Sequence, residues 1–161
     1  MINASEKQFF LASRLLKEGQ VEECMNELSL LLIRYPDHGR GNALLGHLFM
    51  RHLSDYSQAE TCFNQALRYD ALYPELYYDF ADLLIQIEKY TEAIAVLNKG
   101  FEIPGIEKEK LLRLFGLVYE KQQNYEQAIS YYTDGIIQSM SETAIKKLQS
   151  DIQRCMLKKR I

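Results

Sequence analysis

The residues of this chain that could carry out chemistry are few and widely spaced. The histidines are His38, His47 and His52, and the closest two lie five residues apart. A zinc-binding pair on a helix needs a spacing of four, which places both rings on one face, so this spacing argues against a metal site. No cysteine or serine is paired with a histidine in a pattern that would supply a nucleophile and its base. The glycines occur singly, so no phosphate-binding loop is visible. We therefore expect no catalytic residue, no metal and no cofactor, and a protein that is not an enzyme.

The composition restricts the partners and the location of the protein. The 19 basic and 22 acidic residues give a net charge of −3. A dedicated nucleic-acid binder would need clustered positive charge to displace phosphate counterions. No apolar run approaches the roughly 18 residues of a membrane helix, and the first residues lack the pattern of a signal peptide. The odd number of cysteines suits a reducing compartment. We expect a cytoplasmic protein with no nucleic-acid and no membrane partner.

The strongest pattern in the sequence is a repeat of 34 to 35 residues. One column of small residues recurs at intervals of 34, 35 and 35 and consists of Ala12, Gly46, Ala81 and Gly116. A second column follows in the later half of each unit and consists of Cys24, Ala59, Ala93 and Ala128. Such a period indicates stacked helical hairpins, because a single hairpin cannot bury its apolar face alone. Small residues allow two helices to approach closely, so we expect tight helix contacts at Gly46 and Gly116.

These columns resemble the tetratricopeptide repeat family. Tyr56, Tyr90 and Tyr125 open the second helices of the later units, each three residues before an alanine of the second column, which is typical of the family. The resemblance covers about residues 5–142, and the first unit departs from it at Val21. It implies a protein-binding scaffold, but one scaffold hosts many functions, so the partner is not identified.

We therefore predict an all-α fold, a right-handed α-solenoid of about four helix-turn-helix repeats closed by a C-terminal capping helix. The prediction comprises nine helices, no strand and a single domain over residues 1–161. One extra residue is placed near Leu53–Asp55 and another near Gly105–Lys108. The repeats are placed at about 5–38, 39–73, 74–108 and 109–142, and the capping helix at about 141–160.

The capping helix is expected to seal the open end of the stack. Ser141 is placed at its N-terminal cap, and an apolar face includes Leu148 and Cys155. The basic run at 158–160 fits a solvated helix end, where cations interact favourably with the helix dipole. Contact of this run with a membrane surface or nucleic acid is the alternative.

In the tetratricopeptide repeat family the first helix of each unit lines a concave groove that binds peptides or helices. Carried over by register, the groove residues are Phe9, Ser13, Ala43, His47, Met50, Tyr78, Asp82, Ile85, Arg113, Leu117 and Glu120. An exposed apolar floor, which usually marks an interaction site, is expected from Phe9, Met50, Tyr78, Ile85 and Leu117. Tyr78 and Arg113 are expected to dominate binding, because aromatic and arginine side chains are frequent hot spots. The alternative is that the terminal helix or a second copy of the chain fills the groove.

The resemblance therefore implies a protein–protein interaction module, an adaptor, scaffold or co-chaperone-like protein that binds a peptide or helix. One alternative is a self-associating structural protein, and another is a small tetratricopeptide chaperone of secretion type. Family members that bind chaperone tails hold a terminal carboxylate with basic and amide side chains. The matching positions here include Glu75 and Asp79, which would repel a carboxylate, so tail binding is not expected.

Overall fold

Helices are the only regular secondary structure in the residues described by the computed structural model, 2–161. No strand occurs within this range, which confirms the prediction of an all-α fold with nine α-helices. Nine α-helices and one π-helical turn follow one another as α1 (Ala4–Lys17), α2 (Val21–Arg34), α3 (Gly39–Leu48), the π-helical turn (Phe49–Leu53), α4 (Tyr56–Tyr69), α5 (Pro74–Gln86), α6 (Tyr90–Gly100), α7 (Lys108–Lys121), α8 (Tyr125–Gln138) and α9 (Glu142–Lys159).

The chain forms two compact units, Met1–Asp79 and Phe80–Ile161, which divide within α5. In the first unit α1 packs on α2, α3 packs on α4, and α3 also contacts α1 and α2. In the second unit α8 lies against both α7 and α9, and α6 contacts α7. The expectation that the whole chain is a single domain stays a prediction.

Each unit has its own apolar core, built from the repeating columns. In the first unit the fully or largely buried members are Phe9, Ala12, Cys24, Leu28, Leu31 and Leu48. In the second unit one cluster joins α8 to α9 and consists of Ala128, Tyr132, Leu148 and Cys155. The helical spacing of these side chains explains the packing, because residues three and four apart share one face of a helix.

The two glycines of the first small column lie where helices approach closely, as predicted. A Cβ atom on Gly46 would lie 2.8 Å from the ring of Phe63, and one on Gly116 would lie 2.5 Å from Tyr132 Cδ1. Both rings are fully buried. A side chain as small as alanine would therefore overlap an aromatic ring at either position.

The hairpin turns use one left-handed residue per repeat. Gly19, Ser54, Glu88 and Gln123 have φ values of 79°, 53°, 62° and 61° at equivalent positions. In three of these turns the next residue donates its N–H to the carbonyl five residues earlier, for example Lys89 N to Leu84 O at 2.8 Å. This is the Schellman pattern, which satisfies the last carbonyls of a helix.

The extra residue predicted near Leu53–Asp55 lies in the π-helical turn. A π-helix bonds from i to i+5 and so holds one more residue per turn than an α-helix. The first helix of the second repeat therefore ends in Phe49–Leu53 before Ser54 turns the chain, and Asp55 N donates to Phe49 O at 3.0 Å. The second insertion lies in the loop between α6 and α7, where Gly105 takes a φ of 76°.

The last helix begins where the sequence predicts. The Ser141 side chain accepts a hydrogen bond from Ala144 N at 3.3 Å, which caps α9. None of the helices in residues 2–161 combines the length and apolarity needed to cross a bilayer.

Candidate interaction surfaces

An open cavity of about 200 Å³ lies in the first unit, and we name it the first-helix cavity. It is formed by the first helices of three consecutive repeats, α1, α3 and α5, with the residue that precedes α5. Its lining residues are Leu16, Ala43, Leu44, His47, Tyr73, Glu75 and Asp79. It therefore combines apolar side chains from α1 and α3 with carboxylates from α5.

The His47 ring is held by a carboxylate of the next first helix. His47 Nδ1 lies 2.9 Å from Asp79 Oδ2, and both side chains are about a quarter to a third exposed. This contact fixes the ring at the wall of the first-helix cavity. Two members of the predicted groove, Ala43 and His47, thus line one concavity, although the Ala43 side chain is only 4% exposed.

Tyr73 lies in a partly desolvated place beside three carboxylates and one arginine. Burial raises the pKa of the Tyr73 phenol to about 12, and the carboxylates of Glu75, Asp79 and Asp70 add to this rise while Arg40 opposes it. Removing a proton from this phenol would create an anion in a desolvated place beside carboxylates, which is unfavourable.

A second polar contact links α1 to α3. Gly41 N–H donates to His38 Nδ1 at 3.0 Å, so in the neutral ring the hydrogen lies on Nε2, which is 3.2 Å from Glu6 Oε1. Arg40 lies 3.6 Å from Glu6 and 3.3 Å from Asp70. The positive charge of Arg40 is therefore shared between two carboxylates.

A buried ion network joins α7 to α9 in the second unit. Glu120 is 6% exposed and accepts hydrogen bonds from Arg154 Nη2 at 2.6 Å, Lys158 Nζ at 2.9 Å and the Tyr132 hydroxyl at 2.9 Å. Asp151, which is 3% exposed, accepts from Arg113 Nε at 2.7 Å. Each buried carboxylate is thus compensated by cations and hydrogen-bond donors, as burial of a charge requires.

The network shifts the protonation of its members. Burial raises the pKa of the Glu120 carboxyl, but hydrogen bonds from Arg154, Lys158 and Tyr132 outweigh burial and lower it to about 2. Burial and the Glu120 carboxylate raise the pKa of the Tyr132 phenol well above its usual range. At neutral pH the structure therefore holds an ionised Glu120 beside a neutral Tyr132.

The expectation of an exposed apolar floor is wrong for three of its five residues. Phe9, Met50 and Ile85 are only 6%, 3% and 1% exposed, so they belong to the packed interior. Phe9 packs on the next hairpin, with its ring centroid 5.5 Å from that of His38. Met50 lies inside the π-helical turn. The face of a first helix that turns away from its own partner is partly covered by the following repeat.

Arg113 and Glu120 are not held in an open groove. The contacts described above direct both toward α9, and Arg113 is held by the buried Asp151. Its role as a dominant binding residue stays a prediction. The physical reason for these contacts is that α9 occupies the place of a next first helix, and polar groups of α7 pair with it. The basic run at 158–160 is not simply solvated either, since Lys158 contacts Glu120 and Lys159 Nζ lies 2.6 Å from Glu126 Oε1.

The remaining predicted groove residues are half-buried. They are Ser13 on α1, Tyr78 and Asp82 on α5, and Leu117 on α7. Asp82 Oδ2 accepts from Gln86 Nε2 at 3.2 Å on the same helix. A role of these residues in binding a partner stays a prediction.

An aromatic stack in the second unit was not predicted. Tyr131 stacks against both Phe115 and Tyr119, with its ring centroid 5.0 Å and 5.4 Å from theirs. Offset stacking of this kind adds stability beyond the area buried. The signal in the sequence was the spacing of four between Phe115 and Tyr119, which places both rings on one face of α7.

No group of three or more His, Cys, Asp or Glu side chains among residues 2–161 is arranged to hold a metal ion. The cysteines Cys24, Cys62 and Cys155 are all free and buried. Cys24 fills the small-residue column, as predicted from its place in the repeat.

Solved structures with a similar fold cover nearly the whole chain. PilF of Pseudomonas aeruginosa is 18% identical with a TM-score of 0.84, covering 98% of this chain and 69% of that one. PilW, a type IV pilus biogenesis factor, is 14% identical with a TM-score of 0.80 and coverage of 98% and 77%. MamA of Desulfovibrio magneticus RS-1 is 18% identical with a TM-score of 0.72 and coverage of 99% and 97%. At these identities the likeness concerns the fold.

The sequence comparisons point to the same repeat. A curated relative, the protein O-mannosyl-transferase Tmtc3 of Drosophila melanogaster, is 27% identical over 71 residues, which is 44% of this chain. The chain spans only 8% of the length of that relative. Two family models, both described as tetratricopeptide repeat, match residues 51–103 and 111–150. Tetratricopeptide repeats serve in general as non-catalytic scaffolds for protein–protein interaction. With helical hairpins at the same period and structural neighbours over the whole chain, this protein belongs to the tetratricopeptide repeat family.

Proposed function

We propose that this protein is an interaction module that binds an extended or helical segment of a partner protein through the first helices of its repeats. The observation that supports this most is the first-helix cavity, because three consecutive first helices meet there. Two of its lining residues, Ala43 and His47, were assigned to the groove from sequence. Concave sites with apolar walls and a few polar groups are the usual sites of recognition. The cytoplasmic location stays a prediction.

The binding surface is smaller than the sequence suggests. Phe9, Met50 and Ile85 are buried, and Arg113 and Glu120 hold α9. In the first unit this leaves the side chains around the first-helix cavity as the candidates for contact with a partner.

The test compares two identical substitutions in the intact chain. Ala43→Leu places a larger side chain at the wall of the first-helix cavity, whereas Ala95→Leu adds the same group at an exposed position of α6. Peptides selected from a displayed library by the intact chain are measured against both variants. We expect Ala43→Leu to weaken binding at least about tenfold, equivalent to about 1.4 kcal/mol, and Ala95→Leu to leave binding unchanged. Because Ala43 is only 4% exposed, urea denaturation followed by circular dichroism verifies that both variants are folded and stable under the conditions of the binding assay.

Equal weakening by both variants would place binding elsewhere on the chain. If the intact chain selects no peptide and light scattering gives the mass of a dimer, the proposal is wrong and the protein is a self-associating unit.

Self-association is the second candidate, and one observation favours it. On α9, Met156 and Leu157 are 48% and 58% exposed, and Ile161 beyond the helix is fully exposed. Exposed apolar side chains grouped on one helix mark interaction surfaces. Met156→Lys with Leu157→Lys should return a dimer to a monomer if this surface joins two copies, as measured by light scattering.

A further inference from the structure

The first-helix cavity has the size of a site for one side chain. Its volume of about 200 Å³ lies below the roughly 300–1,000 Å³ of pockets that bind small molecules. An apolar wall is formed by Leu16, Ala43 and Leu44 from two first helices. The wall formed by α5 carries the carboxylates of Glu75 and Asp79. A long side chain with an apolar stem and a polar tip would be complementary to both walls.

The cations nearby are already engaged with other carboxylates. Arg40 contacts Glu6 and Asp70, and His47 Nδ1 contacts one oxygen of Asp79. Glu75 is exposed at the rim. The carboxylates of α5 therefore leave an excess of negative charge at the cavity. Burial is the main cause of the raised pKa of Tyr73, and Glu75 and Asp79 add to it.

Two cationic side chains fit this arrangement and a carboxylate does not. Lysine and arginine bury their methylene stems along apolar surface while the charged head stays in a polar place. A carboxylate at the same position would face Glu75 and Asp79 and be repelled, as like charges are costly at an interface.

We propose that the first-helix cavity binds one lysine or arginine side chain of the partner segment, with the stem on Leu16 and Leu44 and the charged head between Glu75 and Asp79. This inference rests on the proposed function and names the residue that the module recognises. The cation–carboxylate contact would be a charge-assisted hydrogen bond, which is stronger than a neutral one.

The experiment uses pools of fluorescent hexapeptides with one fixed central residue and the other positions randomised. The fixed residue is lysine, arginine, norleucine, Nε-acetyl-lysine or glutamate, and binding to the intact chain is measured by fluorescence polarisation. Norleucine keeps a straight apolar stem without the charge, and acetylation removes the charge of lysine while keeping its stem and adding an amide. We expect the lysine and arginine pools to bind about tenfold tighter than the norleucine and acetyl-lysine pools, and the glutamate pool to bind least.

Two charge-reversal variants provide the matched control. Glu75→Lys changes the rim of the cavity, and Glu22→Lys makes the same change at an exposed position of α2. We expect Glu75→Lys to abolish the preference for lysine over norleucine and to favour the glutamate pool. Glu22→Lys should keep the preference of the original chain.

The outcomes separate the inference from the function on which it rests. Equal binding of the lysine, norleucine and glutamate pools, still lost in Ala43→Leu, would overturn the cationic specificity and leave the proposed function standing. An unchanged preference in Glu75→Lys would also overturn the inference. Failure of every pool to bind the intact chain would overturn both.

Discussion

Replacing Gly116 by alanine should destabilise this protein, although alanine is the better helix former. The added Cβ would lie 2.5 Å from Tyr132 Cδ1 and 2.8 Å from Tyr132 Cζ, well inside contact distance. Tyr132 is fully buried and its hydroxyl donates to Glu120, so the ring cannot move aside without disturbing its packing or breaking this hydrogen bond. Overpacking of a core costs about 1–3 kcal/mol, and we expect the upper part of this range. The gain in helix propensity offsets about 1 kcal/mol.

The net loss in the free energy of unfolding is therefore about 2 kcal/mol, and for a chain of this size it should lower the melting temperature by about 4–8 °C. The assay is urea denaturation followed by circular dichroism. Gly135→Ala is the matched control, because its Cβ would meet the methyl groups of Leu148 at 3.2 Å and 3.3 Å and Leu112 Cβ at 3.6 Å, which are much longer distances. That control should change the unfolding free energy by less than about 1 kcal/mol.

The double variant Gly116→Ala with Tyr132→Leu tests the cause. If the ring causes the clash, the two substitutions should not be additive, and the double variant should lose less stability than the sum of the single ones. A Gly116→Ala variant as stable as the original chain, or more stable, would refute the close approach of α7 and α8.

Three further outcomes follow from the contacts described. The Glu120 carboxyl has a pKa of about 2 in the folded chain, so its stabilisation is complete above its unfolded value near 4.5 and is lost as the pH falls toward 2. Urea denaturation at pH 7 and at pH 3 measures this effect. Between these two pH values the unfolding free energy of the original chain should fall by about 2 kcal/mol more than that of Glu120→Gln. Removal of residues 141–161 should expose the apolar face of α8 and cause aggregation or earlier melting, whereas a monomer of unchanged stability would make α9 an appendage. Glu88→Gly removes the strain of a side chain in the left-handed backbone conformation, so it should raise the unfolding free energy by about 1 kcal/mol. Gly19→Ala introduces the same strain and should lower the unfolding free energy by a similar amount. Both are measured by urea denaturation.

The repeat architecture could be predicted because it depends on periodic columns. Small residues such as Gly116 recur where two helices touch, and the capping Ser141 is a local signal for the start of α9. The insertions near Leu53–Asp55 and Gly105–Lys108 were visible as breaks in the period. All of these features can be predicted without knowing how one hairpin packs against the next.

The groove was predicted less well because its exposure depends on contacts between repeats. Phe9 and Met50 occupy groove positions in the repeat, but the periodicity does not show that neighbouring segments pack over them and bury them. The role of Glu120 was missed for the same reason. A usable signal was present, since Arg154 follows Glu120 at 34 residues and a charge of opposite sign at one repeat length indicates a pair between consecutive first helices.

The π-helical turn at Phe49–Leu53 allows a repeat to change length without losing its alignment. An α-helix has about 3.6 residues per turn, so one inserted residue would rotate every later side chain of that helix by about 100°. Widening a single turn takes up the extra residue locally, and Ala59 still meets its place in the second small column. The second repeat therefore tolerates a one-residue change in the length of its first helix. A residue inserted at this turn changes the turn alone, and the helix contacts on both sides of it are preserved.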